Sequence, residues 1–325
     1  MEDRSSLVAT ARDSIRKGSK SFAAASALFD RATRERVWLL YAWCRRCDDL
    51  IDDQDHGGRL GSTKNVTQRL AEVRDRTALA FAGMPAGDPA FDALGLVATE
   101  TGLTLDMANA VIDGFALDAA DWQPRSEADL MRYCWHVAGA VGVMMAVVMG
   151  VSPTDEDTLD RACDLGLAFQ LANIARDFAE DDAAERCYVP LEWLAEMDIP
   201  PGEQMKPIHR KAMAALARRM CRLAHAHECS ARVGAGRLRL RQRWAILAAA
   251  GIYGEIAREV ERRGERAWHS RTVVSNGRKL QWIARAGLRA LRPVPRACHE
   301  GAAARRHTRR DLIALAGEHR WTTPR

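Results

Sequence analysis

Tyrosine and phenylalanine are scarce in this chain, at four and seven of 325 residues, and β-branched residues come only in short runs. That leaves little material for a sheet, while the abundance of Ala, Leu and Arg favours helices. Long apolar runs are also missing. The longest, VAGAVGVMMAVVMGV from Val137 to Val151, is too short and too glycine-rich for a membrane span and reads as a buried core helix. No strand leads into a G-x-G-x-x-G turn, because GRLGS and GAGRLRL lack both the strand and the spacing; a Rossmann-type nicotinamide site is therefore not expected. The eight cysteines have no disulfide-like spacing, which points to a reducing compartment. CRRC at 44–47 falls mid-helix without a neighbouring strand, against a redox role. The opening MEDRSSLVATARDSIRKG has early acids and no apolar core, so it is not expected to act as a signal peptide. Aromatic and basic residues are not interleaved as in single-strand binders. The net charge of +5 suits an anionic substrate or membrane surface rather than nucleic acid.

What is present is a helical rhythm. Apolar residues at 47% and charged residues at 28% suit a soluble globular chain with a large core. The spacing predicts helices over 4–17, 19–28, 32–53, 63–82, 104–119, 127–150, 155–181, 203–228, 238–263 and 272–290. Turn chemistry separates them at DHGG (55–58), GMPAGDP (83–89), VSPTDED (151–157) and DIPPGE (198–203). With no repeat and no long linker, the economical reading is one all-α domain over 1–290. A basic, loosely attached tail over 291–325 follows, with a short helix near Leu312.

Two acidic stretches carry the chemistry. On the helix over 32–53, Val37, Tyr41, Cys44, Asp48 and Asp52 share one face with Arg45 beside them, while Asp49 and Asp53 turn to a flank. Taken alone, this is either a solvated helix end paired with Arg45 and Arg46 or a cation site. The second stretch, LGLAFQLANIARDFAEDDAAERCYVP, repeats the device. Gly166, Gln170, Asn173, Asp177 and Asp181 line one face, and Leu167, Leu171, Ile174 and Phe178 an adjacent apolar one. Arg176, Arg186 and Tyr188 stand nearby. Oxygen-only ligands at four-residue spacing on two helices suit Mg²⁺, which takes one or two carboxylates together with waters and phosphate oxygens. Facing each other across a bundle, Asp48/Asp52 and Asp177/Asp181 would hold ions that grip a diphosphate leaving group.

The chain resembles the squalene and phytoene synthases, the head-to-head prenyl synthases. The resemblance covers about residues 10–290 and is carried by GSKSFAAASALF (18–29), YAWCRRCDDLID (41–52), DGFALD (113–118), YCWHVAGAVG (133–142), FQLANIARDFAED (169–181) with RCYVP (186–190), and AWHSRTVVSNGRKL (267–280). It implies an isoprenoid-synthase bundle with a central cavity and two aspartate motifs at its mouth. The implied reaction joins two geranylgeranyl diphosphates through prephytoene diphosphate to phytoene, with Mg²⁺ (Mn²⁺ as an alternative) and without NADPH. Related reducing enzymes bind NADPH without a Rossmann fold. The resemblance implies Asp48, Asp52, Asn173, Asp177 and Asp181 as metal ligands. It puts Arg45, Arg176, Arg186 and, less securely aligned, Arg271 at diphosphate, with Ser19, Ser21 and Phe22 at the start of the cavity. Tyr41, Gln170 and Asn173 line the site near the metals, Tyr188 joins the substrate-binding residues, and Tyr133 and Tyr253 match cavity tyrosines that stabilise a passing cation. One departure is Glu185, where the family usually has glycine before Arg-x-Tyr.

Farnesyl-using dehydrosqualene or squalene synthases, a head-to-tail synthase, a terpene cyclase and a non-catalytic scaffold are the alternatives. If Phe22 and Ser26 share the cavity face, the small Ser26 leaves room for a twenty-carbon tail; otherwise the alanines around it simply allow close packing. His136 is expected to be an interior histidine, and His225, His227 and Cys229 a surface patch rather than a metal site. A cytoplasmic protein that touches the membrane surface is the expectation from the missing span and the lipophilic product.

Overall fold

A computed structural model describes residues 3–52, 54–55, 58–59, 65–120, 122–293 and 307–318. Among them the helices are α1 (Arg4–Gly18), α2 (Lys20–Ser26), α3 (Arg31–Ile51), α4 (Val66–Phe81), α5 (Pro89–Glu100), α6 (Leu105–Ala119) and α7 (Glu127–Cys134). They continue with α8 (Ala140–Val148), α9 (Glu156–Ala183), α10 (Leu191–Ala195), α11 (Arg210–Gly234), α12 (Leu240–Arg263), α13 (Asn276–Ala290) and α14 (Arg309–Glu318). A two-residue antiparallel pair, Gln54–Asp55 with Gly58–Arg59, follows α3.

Polar caps set most of the starts. Asp30, Asn65, Thr104, Ser126, Asp155 and Ser275 each accept a hydrogen bond from a first-turn amide, and Asn65 forms a full capping box with Gln68. Helix α5 was not expected from the sequence. GDP at 87–89 was read as a break, but Asp88 is the cap and Pro89 the first helical residue. Phe91, Leu94 and Val97 then bury the inner face of α5.

Helix α9 is the axis of the molecule and packs against α8, α11 and α12. Its approach to α8 and to the turn of residues 135–139 before it depends on glycine at two positions. A Cβ on Gly166 would lie 2.1 Å from the Ala138 carbonyl oxygen, and one on Gly142 would lie 2.3 Å from that of Ala162. The apolar stretch expected as one helix over 127–150 is interrupted by a π-turn at Trp135–Gly139, between α7 and α8. It is mostly buried, as a core helix should be. His136 is buried there and its Nδ1 donates to the Ala110 carbonyl at 2.8 Å. Burial holds its pKa low and the ring neutral.

Two expectations change. Helix α14 does form at Leu312, but the described part of the tail is docked: Leu312 is fully buried, and Arg309 pairs with Asp160 at 2.7 Å and with Glu156. Cys229 is disulfide-bonded, contrary to the reading of unpaired thiols. The six described free cysteines are buried or half-buried. Burial pushes the Cys44 thiol up to about 12 and Cys47 well above its ordinary value, so CRRC is inert.

Candidate active site

Three helices end in acids and carry no base in their last turn: α3 with Asp48, Asp49 and Asp52, α6 with Asp118, and α9 with Glu180, Asp181 and Asp182. The C-terminus of a helix is already negative, so acids placed there are repelled and the group attracts cations. The cost is visible in the titration. Asp48 is pushed up to about 6 by burial, then by Asp52, with Asp49 and Asp118 adding to it. Asp181 is pushed up to about 7 by burial, then by Asp177, with Glu180 and Asp118 adding. Asp118 feels Asp52 in turn, so the two aspartate motifs meet electrostatically across α6.

Each acid has a different local partner. Arg45 donates to Asp48 at 2.9 Å and pairs with Asp49 at 2.6 Å. Asp49, expected on a flank, has only 4% of its side-chain surface exposed, against 41% for Asp48. Asp49 is therefore the structural carboxylate and Asp48 the accessible one. Arg46 turns away to Asp88 at 2.7 Å. Asp177 is held by Arg176 at 2.7 Å and by Arg271 at 3.0 Å. Among the described residues no ion pair forms at Asp52 or Asp181.

Helix α9 closes with a Schellman turn: the Glu185 amide donates to the Asp182 carbonyl at 3.0 Å and the Arg186 amide to that of Asp181 at 2.8 Å. This brings Arg186 beside Asp181 and Asp118, and both carboxylates feel its charge. Glu185 takes φ +58° at the position where the motif favours glycine, so the departure seen in the sequence sets a side chain in the left-handed region. Tyr133 and Tyr188 both donate to Asp118 Oδ1, at 2.9 and 2.8 Å, and their rings stack at 4.8 Å. Tyr133, expected in the cavity, is instead enclosed between Trp122 and Tyr188 as a support for Asp118.

Beyond the acids an apolar cavity runs along α9. Phe22, Gly166, Phe169, Gln170, Asn173 and Tyr253 line its upper part, and Met149, Thr158 and Leu238 its lower end. From Asn173 to Thr158 is about 22 Å at the helical rise, so the cavity is a deep slot. Tyr253 stacks on Phe169 at 4.2 Å and bonds to the Ser19 hydroxyl. Tyr41 packs near Phe22 at 5.6 Å, its hydroxyl against Gly18, and burial pushes its pKa up to about 12. Ser26 is not part of this wall. It is fully buried, donates to the Ala23 carbonyl and accepts from Trp38 Nε1 at 3.0 Å, so the expected room beside Phe22 does not come from it. Ser21 lies in α2, and its side chain is outside the described residues. A recess at the mouth joins Ser19, Asn173, Arg176, Arg271, Thr272 and Lys279, and the buried Thr272 hydroxyl has no partner within it.

The donor set fits hard divalent cations. The acids are oxygen-only, they repel one another, and Asp52 and Asp181 feel the charge of Arg186 without forming an ion pair among the described residues. Among the described residues no three carboxylate, thiol or imidazole groups close on a single point. A Mg²⁺ ion held here would need waters and substrate phosphates to complete its shell. His225 and His227 form no site of this kind. His225 pairs with Glu261 at 3.1 Å, and His227 is buried against Asp164 at 2.7 Å rather than lying on the surface.

Asp118 lies in the DGFALD motif but has no role in the sequence pattern taken alone. The available signal was an acid in the last turn of a helix, the same signature as in the two assigned motifs.

The family model described as squalene/phytoene synthase matches residues 15–278. The phytoene synthase of Pseudescherichia vulneris is 46% identical over 85% of this chain and 90% of that protein. The 15-cis-phytoene synthase of Pantoea ananas is 43% identical over 88% and 93%. Among solved structures, a dehydrosqualene synthase in complex with ligand superposes with a TM-score of 0.78 at 26% identity, covering 88% of this chain and 97% of that one.

Proposed function

The chain belongs to the squalene/phytoene synthase family, and from that premise we propose that it joins two geranylgeranyl diphosphates head to head to give phytoene, the entry to carotenoid biosynthesis. The observation that carries the reading is the meeting of three acidic helix ends at the mouth of a deep apolar slot. A substrate with a charged head and a long hydrocarbon tail matches both parts.

In this reading Asp48 and Asp52 on one side, and Asn173, Asp177 and Asp181 on the other, would hold Mg²⁺ (Mn²⁺ as an alternative) together with diphosphate oxygens. The ions supply charge neutralisation as the allylic C–O bond breaks. Arg45, Arg176, Arg186 and Arg271 stand at the acids they now neutralise and turn to the diphosphate when it arrives. Phe22, Phe169 and Tyr253 face the allylic cation and keep water from it. The second substrate's double bond attacks that cation, and loss of a proton gives cyclopropyl prephytoene diphosphate. A second ionisation, rearrangement and proton loss give phytoene, with no reductant consumed.

The farnesyl-using alternative is disfavoured because relatives at 43–46% identity are phytoene synthases, while the dehydrosqualene synthase stands at 26%. Retention of every ionisable ligand speaks against a scaffold. We place the protein in the cytoplasm with peripheral membrane contact, since its substrate and product are lipids. Turnover of geranylgeranyl diphosphate that is lost with EDTA and restored by Mg²⁺ tests the reading; EDTA-resistant turnover contradicts it.

A further inference from the structure

Helix α13 has one face packed on α12. Trp244 Nε1 donates to the Ile283 carbonyl at 2.8 Å, Trp282 Nε1 donates to Glu255 at 3.1 Å, and Ala286 and Ala290 are buried. Its other face is bare. Leu280, Ala284, Leu288 and Leu291 follow at steps of four, four and three and form one stripe about 16 Å long. Leu280 is 66% exposed, Leu288 63% and Leu291 73%. Val273, 73% exposed, begins the same surface and also lines the recess at the mouth of the site, beside Arg271 and Lys279. Of the nine large apolar side chains exposed among the described residues, four lie in this one segment, so the clustering is a property of the segment rather than of the surface at large.

The charge beside the stripe is of one sign. Residues 271–293 contain six cations, Arg271, Arg278, Lys279, Arg285, Arg289 and Arg292, and no Asp or Glu. Arg285, Arg289 and Arg292 each follow a stripe residue by one position, which sets them in a parallel row about 100° round the helix. Among the described residues Lys279, Arg285, Arg289 and Arg292 form no ion pair, whereas Arg278 is paired with Glu255. Arg285 lies over the Trp282 ring at 5.5 Å. A leucine stripe flanked by arginines free of salt bridges is the pattern of a helix that lies in a membrane interface, apolar side in the acyl boundary and cations at anionic headgroups.

We propose that the exposed face of α13, from Val273 to Arg292, docks on an anionic lipid bilayer, and that it does so with the mouth of the prenyl cavity turned toward the lipid. The surface then serves a substrate that partitions into membranes and a hydrocarbon product that has no other solvent. The purpose assigned here rests on the reading above, but docking is measured without turnover, so the two fail separately.

The test is co-sedimentation of the full chain with vesicles, comparing phosphatidylglycerol–phosphatidylcholine mixtures with pure phosphatidylcholine. The variant is Leu280→Gln/Leu288→Gln/Leu291→Gln, whose altered side chains touch neither the acids nor the cavity. The intact protein binds the anionic vesicles, high salt weakens that binding, and the triple variant binds at least about tenfold less tightly. Turnover of detergent-dispersed substrate is unchanged in the variant. Failure of the intact protein to bind, equal binding to neutral vesicles, or unchanged binding by the variant overturns the proposal. So does a dimer that the variant dissociates, which would give the face to a second copy. A fall of several degrees in the variant's melting temperature also overturns it, because the chain's own segments would then cover the stripe.

Discussion

Arg271 reaches Asp177 across ninety-four residues of sequence and donates to its Oδ2 at 3.0 Å, beside Arg176 on the same carboxylate. A carboxylate with two arginines is a site already neutralised in the absence of substrate. Binding a diphosphate at Mg²⁺ then exchanges partners rather than importing bare charge, and the arginines remain close to the newcomer.

This exchange has a kinetic signature. Arg271→Gln removes one of the two cations from a half-exposed position, so the fold should survive. We expect KM for the prenyl diphosphate to rise about tenfold while the melting temperature moves by less than a degree or so. Steady-state kinetics with a thermal melt decide it; an unchanged KM would place Arg271 outside the substrate site.

Asp118 is the acid that couples the two motifs, held by Tyr133 and Tyr188. Asp118→Asn keeps an oxygen to accept both phenols but loses the charge, whereas Asp118→Ala strands two buried hydroxyls at a cost of about 1–3 kcal/mol. Activity should fall at least about tenfold in both variants, with stability lost only in the alanine. Equal activity of the asparagine variant and the native chain would reduce Asp118 to a packing role.

The raised carboxylates fix a pH dependence. In the metal-free protein Asp48 and Asp181 keep their protons up to about 6 and about 7, while the unfolded chain releases them near the ordinary value of 3.8. The folded state therefore binds more protons in between, and its stability declines as pH rises through that window. Asp48→Asn/Asp181→Asn removes this term. Its advantage over the native chain should grow from pH 5 to pH 8, reaching about 2 kcal/mol or roughly 4 °C once the shift of the 41% exposed Asp48 is discounted for solvent screening. Mg²⁺ should recover the native chain at pH 8 and leave the variant unmoved. A pH-independent gap between the two contradicts the electrostatic account.

Glu185 gives a prediction about the scaffold alone. Its φ of +58° in the Schellman turn disfavours a side chain. Glu185→Gly should stabilise by about 0.5–1 kcal/mol and hold Arg186 against Asp181 at least as well. A loss of stability on denaturant unfolding would show that the side chain has a favourable role of its own.

The polar face from Gly166 through Gln170 and Asn173 to Asp177 and Asp181 was legible because one long helix obeys a single period. The inward turn of Asp49 was not, since which of two adjacent acids is buried depends on how α3 sits against its neighbours. Ser26 was misplaced for the same reason: a helical face says which residues go together, not which helix they meet. Asp118 reaches the site only through tertiary contacts, Arg271 was indicated by the family resemblance and not by any helical period, and α5 was lost because Asp-Pro reads equally as a turn or a helix start.

The most direct test is product analysis with purified protein and Mg²⁺, offering geranylgeranyl or farnesyl diphosphate, each with and without NADPH. The account predicts a forty-carbon hydrocarbon from geranylgeranyl diphosphate, formed equally without NADPH and lost in Asp48→Asn or Asp181→Asn. A thirty-carbon product alone, or a product that requires NADPH, would contradict it.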